Sequence, residues 1–249
     1  PLDVARVRVH PSVTVIPERA FQNRQQLQEV KLCDGLLEIG EFAFDSCKSL
    51  RHIKIPSTVT TISWSSFSDC WKLETIQFNE GLLEIGDYVF CSCKSLNAAT
   101  IPSSVRTLGK FAFHQANKLS CIKLPEGVES IGERAFCQTK LLNFRMPPLI
   151  TTISGGLFSG CESLFSVELS ESTTQIGNAA FNFCHSLRNV ALPISAEIGD
   201  DVFRYCTDLL QLFGTKVRII NALNLRFNNL PIHKMIYYQS YNNLTSVLP

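Results

Sequence analysis

Phe21, Phe44, Phe67, Phe90, Phe113, Phe136, Phe158, Phe181 and Phe203 follow one another at intervals of 22 or 23 residues. A unit of that length is one supersecondary element, too small to bury its apolar face alone, so successive units must stack into a continuous core. A second ladder runs five residues ahead of most of these rungs: Ile16, Ile39, Ile62, Ile85, Leu108, Ile131, Ile153, Ile176 and Ile198. Glycine usually follows it, as at Gly40, Gly86, Gly109, Gly132, Gly177 and Gly199, and marks a corner that a backbone without Cβ turns at little steric cost.

After each Phe comes a stretch of the form L-x-x-(V/I)-x-(L/I), as in Leu50, Ile53, Ile55 and in Leu187, Val190, Leu192. Alternation of this kind makes a short strand with the named positions inward and the others outward. Ten such strands are expected, near Val4, Leu27, Leu50, Leu73, Leu96, Leu119, Leu141, Leu164, Leu187 and Leu209. Pro56, Pro102, Pro125, Pro147 and Pro193 close their strands, because proline lacks the amide that would continue a ladder. The spacing shortens by one residue before Leu141 and again near Ser195.

Laid out in full, A-F-x-x-C-x-S-L-x-x-I-x-(I/L)-P-x-x-V-x-x-I-G resembles the BspA-type leucine-rich repeat, over residues 1 to about 213. The resemblance implies an α/β solenoid, a horseshoe of about ten coils of 22–23 residues with a parallel β-sheet on its concave face. It implies an interaction module or an adhesin, and no enzyme. The cysteine site of the family is held here by Arg24, Ala116 and Thr139 in three units.

Six of the ten cysteines, Cys47, Cys70, Cys93, Cys161, Cys184 and Cys206, stand three residues after a repeat Phe. One place repeated six times predicts one role, a column of small buried thiols behind the stacked rings. Their parallel Cβ vectors suit disulfide geometry poorly. Reduced thiols in a column favour an intracellular, cytoplasmic setting; a secreted or cell-surface location is the alternative. Cys91, His114 and Cys137 share the next offset and form a second line. The two thiols of that line would lie about 10 Å apart, too far to ligate one zinc, so neither metal nor cofactor is expected.

Phosphate-loop, zinc-helix and nucleophile-elbow patterns are missing from the sequence, and the five histidines fall on separate coils without catalytic partners. No apolar run reaches the roughly 18 residues that a membrane helix needs. The charge balance of 23 basic and 22 acidic residues argues against a nucleic-acid or membrane partner, so a protein partner must be read from local features. The chain opens inside a coil and without Met, as a piece of a longer protein would.

The outward strand positions supply those features. Arg6, Arg8, Lys31, Arg51, His52 and Lys54 form a basic group opposed by Glu29, and Lys123 and Arg145 extend it. Leu142 and Phe165 put large apolar groups where solvated ones are expected, as do Leu210 and Phe213. The repeat ends at residue 213, and residues 214–249 carry helical periodicity around Pro231, consistent with a helical cap on the last coil. Within them Leu230-Pro231-Ile232-His233 resembles the opening of an ankyrin repeat. The expected function is a non-catalytic scaffold gripping a protein on its concave face; a secreted or surface adhesin is the alternative.

Overall fold

A strand of three residues hides its central side chain and exposes the other two when it has strands on both sides in the same register. The chain repeats this unit as Arg6–Arg8, Glu29–Lys31, His52–Lys54, Thr75–Gln77, Ala98–Thr100, Cys121–Lys123, Asn143–Arg145, Ser166–Glu168 and the shorter Asn189–Val190. These front strands pair in parallel at a shift of about one repeat, Arg6 with Glu29, Glu29 with His52 and His52 with Thr75. A second set of two-residue strands, from Val15–Ile16 to Glu197–Ile198, pairs in the same way behind the core. The computed structural model describes residues 4–193 and 195–212.

The expected parallel solenoid is present, built almost entirely of strands and turns. The tenth strand is not. Around Leu209 the chain forms a short helix, Thr207–Leu212, so the front strands among the described residues number nine. TDLLQL has no β-branched residue after Thr207 to favour a strand, and Asp208 in its first turn suits a helix N-terminus. The Arg188 guanidinium donates twice to one Asp208 carboxylate oxygen, at 2.9 and 2.8 Å, and ties this turn to the preceding coil. The helical cap and the ankyrin-like segment expected after residue 213 lie outside the described residues, as do Phe213 and the side chain of Leu210.

Both sheets are interrupted where the Phe spacing first contracts to 22, between Cys121–Lys123 and Asn143–Arg145 in front and between Ser130–Ile131 and Thr152–Ile153 behind, and the front sheet is interrupted once more, between Thr75–Gln77 and Ala98–Thr100. The core crosses the interruption intact. The nine repeat rings stack with centroids 5.0–5.9 Å apart, including Phe136 on Phe158 at 5.8 Å. Phe144 packs against both of those rings, at 5.3 and 4.8 Å. Parallel offset rings at these separations add attraction to the burial of their area.

The thiol column stands behind the rings, with all six of its cysteines fully buried and free of disulfides. Each Sγ donates to the carbonyl oxygen of the repeat Phe in the preceding coil, from Cys47 to Phe21 at 3.2 Å through to Cys206 to Phe181 at 3.0 Å. Thr139 occupies the same place and keeps its hydroxyl satisfied by the Phe136 carbonyl at 2.9 Å.

Around each Phe the backbone is pinned between coils by three hydrogen bonds. In the second coil the N–H groups of Phe42, Phe44 and Ser46 donate forward to Trp64, Ser66 and Ser68, while the carbonyls of Glu41, Ala43 and Asp45 accept from Arg19, Phe21 and Asn23 behind. Each donor and acceptor belong to one peptide unit, so three peptide dipoles per coil point the same way along the stack. Two residues per coil adopt left-handed φ to allow this, two before and two after the Phe, as at Phe42 (53°) and Ser46 (58°).

The repeat glycines have a different reason from the one expected. Gly109 and Gly132 do not need positive φ; a Cβ at Gly109 would lie 2.4 Å from the Asp87 nitrogen and one at Gly132 would lie 2.3 Å from the Lys110 nitrogen. They let the back corners of successive coils touch.

Candidate interaction surface

The front sheet carries every predicted site residue on an outward position. Arg8 pairs with Lys31 across neighbouring strands, and the Glu29–His52 pairing sets Lys31 beside Lys54. These three cations form one row with no acidic partner among the described residues. Side chains one strand apart, about 4.8 Å, repel by roughly 1 kcal/mol per pair in water, so the row is held against its own charge.

The predicted arginines other than Arg8 are compensated. Arg6 meets Glu29 at 3.5 Å, Arg51 meets Glu74 at 2.8 Å and Arg145 meets Glu168 at 3.6 Å. His52 shares a hydrogen bond of 2.7 Å with the Thr75 hydroxyl. Besides the expected Glu29, Glu74 from the next coil opposes the basic group. Lys123 stands exposed beside Thr100, separated from the Arg8 row by Gln77 and Thr100.

Leu142 and Phe165 are neighbours in the same outward row, joined by the bond from the Phe165 N–H to the Leu142 carbonyl at 2.7 Å. They are 50% and 42% exposed, and the Arg188 guanidinium stands 5.7 Å from the Phe165 ring centre. The front sheet thus presents an unopposed cationic row near one end and an apolar pair toward the other.

Cys91, His114 and Cys137 do line up, since successive coils join them through backbone bonds at the Cys91, His114 and Cys137 carbonyls. Burial pushes the Cys137 thiol up to about 11 and holds the His114 imidazole below its usual range. Among the described residues no group of three His, Cys, Asp or Glu is placed to hold a metal. No helix among them is long and apolar enough to cross a membrane.

Two features of the corners escaped the sequence reading. Trp71 lies between Lys48 and Lys94, each ammonium 4.3 Å from its ring centre. At the opposite corner Phe42, Trp64, Tyr88 and Phe111 form an aromatic row over four coils. Both were readable as residues at or near the 23-residue spacing, had every offset been aligned and not only those of the strands and the position after Phe.

The architecture defines a leucine-rich repeat solenoid with a polar, strand-built outer surface. The family profile described as BspA type leucine rich repeat region (6 copies) matches residues 3–120 and 83–210, and the chain belongs to that family. The T. pallidum leucine-rich repeat protein is similar at 24% identity over 90% of this chain and 84% of its own, with a TM-score of 0.55. A leucine-rich cell surface protein of Faecalibacterium prausnitzii is similar at 21% identity, 83% and 86% coverage and a TM-score of 0.52. The pneumococcal vaccine antigen PcpA is similar at 24% identity with a TM-score of 0.60, over 78% of this chain and 52% of its own. No curated protein matches the chain.

Proposed function

We propose that this chain is a non-catalytic, adhesin-type module that works outside the cell and binds a protein through its front sheet. The observation that carries the reading is the Arg8–Lys31–Lys54 row, three in-register cations without carboxylates on a sheet whose other arginines are paired. Such a row gains stability from an acidic protein surface laid across it, and Leu142 and Phe165 add an apolar anchor farther along.

An extracellular setting draws support from the similar proteins, one described as a cell surface protein and another as a vaccine antigen. The free cysteines are compatible with it. A thiol that is buried, bonded to a carbonyl and pushed up to about 12, as at Cys47, is almost never a thiolate, and oxidants meet it only after unfolding. The column therefore does not select a reducing compartment, and the inference from cysteine to cytoplasm loses its force.

Beads coated with the chain, offered to a panel of immobilised extracellular matrix proteins, test the reading. Retention by one or more of them is expected, with loss of retention in the Lys31→Glu, Lys54→Glu, Phe165→Ala variant. Equal retention by parent and variant would move the working surface off the front sheet.

A further inference from the structure

The two tryptophans of the chain belong to the same coil and have opposite surroundings. Trp71, at the corner that enters the front sheet, has an ammonium group from each adjacent coil over its ring, Lys48 and Lys94 at 4.3 Å. The Trp64 carbonyl, at the back corner, accepts from the Phe42 N–H at 3.0 Å, while the Ser65 N–H of the same peptide donates to the Asp87 carbonyl at 2.9 Å. Those bonds put Glu41 and Asp87 in the row of Trp64, one coil to either side. The residues that the register sets on either side of Trp71 are lysines, and those that it sets on either side of Trp64 are acidic.

The Trp64 ring is set at 82° to Phe42 with centroids 4.4 Å apart and at 83° to Tyr88 at 6.1 Å, and it remains 41% exposed. The aromatic row continues from Tyr88 to Phe111 at 4.6 Å. A guanidinium of this chain closes each end, Arg19 at 4.7 Å from the Phe42 ring centre and Arg134 at 5.7 Å from that of Phe111. Between them Trp64 carries no cation among the described residues. The Asp87 carboxylate accepts from the Lys110 N–H at 2.6 Å through Oδ1, which fixes it and leaves its second oxygen available.

The aromatics are not there for the backbone's sake. Phe42, Tyr88 and Phe111 sit at left-handed φ of 53–59°, a position that holds Arg19, Ser65, Arg134, Gly156, Ala179 and Asp201 in the other coils. Serine, alanine, aspartate and arginine reach the same φ of 53–55° at this position, so the backbone does not select the rings.

We propose that Trp64, Glu41 and Asp87 form a receptor for an arginine side chain of a polypeptide partner. A guanidinium is planar and stacks on an indole, and its donors project sideways toward carboxylates on both flanks. The carboxylates stand two coils apart, about 10 Å between backbones, a span that a fork of donors uses better than the compact ammonium of lysine. The row already holds guanidinium groups at both of its ends, so the same chemistry supplied from outside completes it. This site lies at the back corner and is independent of the front-sheet reading.

The test uses the two indole N–H resonances of the nitrogen-15-labelled chain, with Trp64→Phe to assign them. The probe is the blocked peptide acetyl-Gly-Arg-Gly-amide, compared with its lysine and citrulline counterparts. A saturable shift of the Trp64 resonance is expected with the arginine peptide up to about 20 mM, a range suited to a single side chain. The Trp71 resonance should stay in place. The lysine peptide should bind at least about threefold more weakly and the citrulline peptide not at all. Glu41→Gln with Asp87→Asn, which keeps an acceptor for the Lys110 N–H, should lower affinity roughly tenfold. No shift of the Trp64 resonance in that range, an equal response to citrulline, or unchanged affinity in the double variant would each overturn the assignment.

Discussion

The Cys70 Sγ donates to the carbonyl oxygen of Phe44 at 3.3 Å, across one coil boundary and 26 residues back along the chain. The same bond recurs down the column, from Cys93 to Phe67 at 3.3 Å and from Cys184 to Phe158 at 3.1 Å. A small side chain with a weak donor is what the position asks for, and cysteine supplies both. Labelling the native chain with iodoacetamide should therefore modify exposed Cys121 first and leave Cys47, Cys70, Cys93, Cys161, Cys184 and Cys206 unlabelled until urea is added. Peptide mass spectrometry showing native labelling of Cys70 as fast as that of Cys121 would remove the buried column from the account.

The same thiols make stability depend on alkaline pH. Burial pushes Cys47, Cys161 and Cys206 from 9.0 up to about 12. Below the unfolded value both states hold the proton and stability is unaffected. As pH rises from 9.0 toward about 12 the unfolded chain releases protons that the folded chain retains, so stability falls by up to about 1.4 kcal/mol per pH unit for each such thiol. Urea midpoints measured between about pH 8 and pH 10 should drop steeply, and Cys161→Ala should flatten the slope. A midpoint flat over that range would contradict the burial of the column.

Replacing Phe113 by Ala takes a ring from between Phe90 and Phe136, at 5.4 and 5.9 Å, and should cost about 3–5 kcal/mol in urea unfolding. Phe21, half-buried at the first coil with only Phe44 stacked on it, should cost about 2 kcal/mol or less. Equal costs at the two positions would show that the rings do not act as one stack.

Gly109→Ala places a methyl 2.4 Å from backbone atoms of Gly86 and Asp87, which cannot step aside without parting two coils. A loss of more than about 2 kcal/mol is expected. Gly35, whose added methyl would approach nothing nearer than 3.4 Å, should tolerate Ala within about 0.5 kcal/mol. Comparable losses at both would return the glycines to an ordinary role in bending.

On the front sheet, Lys31 and Phe165 belong to the second and eighth strands, about 29 Å apart along the stack. One partner spanning both should associate more slowly and with less salt dependence after Lys31→Glu with Lys54→Glu, and should dissociate faster after Phe165→Ala. Surface plasmon resonance with the matrix protein that retains the coated beads separates the two effects. Unchanged association in the charge-reversed variant would dismiss the cationic row.

The stack and the strand faces were legible because each is written once per coil, and the inward cysteines because six of nine coils repeat them at one place, which leaves little freedom in register. The tenth strand was misread for the converse reason. Leu209 and Leu212 keep the spacing of a strand, but with no β-branched residue after Thr207, helix propensity in TDLLQL prevails. Opposition between Arg51 and Glu74 was hidden because it joins two coils, and the glycine corners because their crowding comes from the preceding coil and not from their own φ. Along the chain such contacts are 22 to 26 residues long; in space they are the nearest ones.

Because every back-corner peptide gives its N–H to the coil ahead and its carbonyl to the coil behind, the two ends of the stack differ in kind. Glu18, Ala20 and Gln22 turn carbonyls outward at one end, and Asp201, Phe203 and Tyr205 turn N–H groups outward at the other, with no partner for them among the described residues. Duplicating or deleting one whole coil restores the same two ends. Length can therefore change in whole units without altering what either face of a coil offers its neighbour, while a change of half a unit would set a back corner against a front strand.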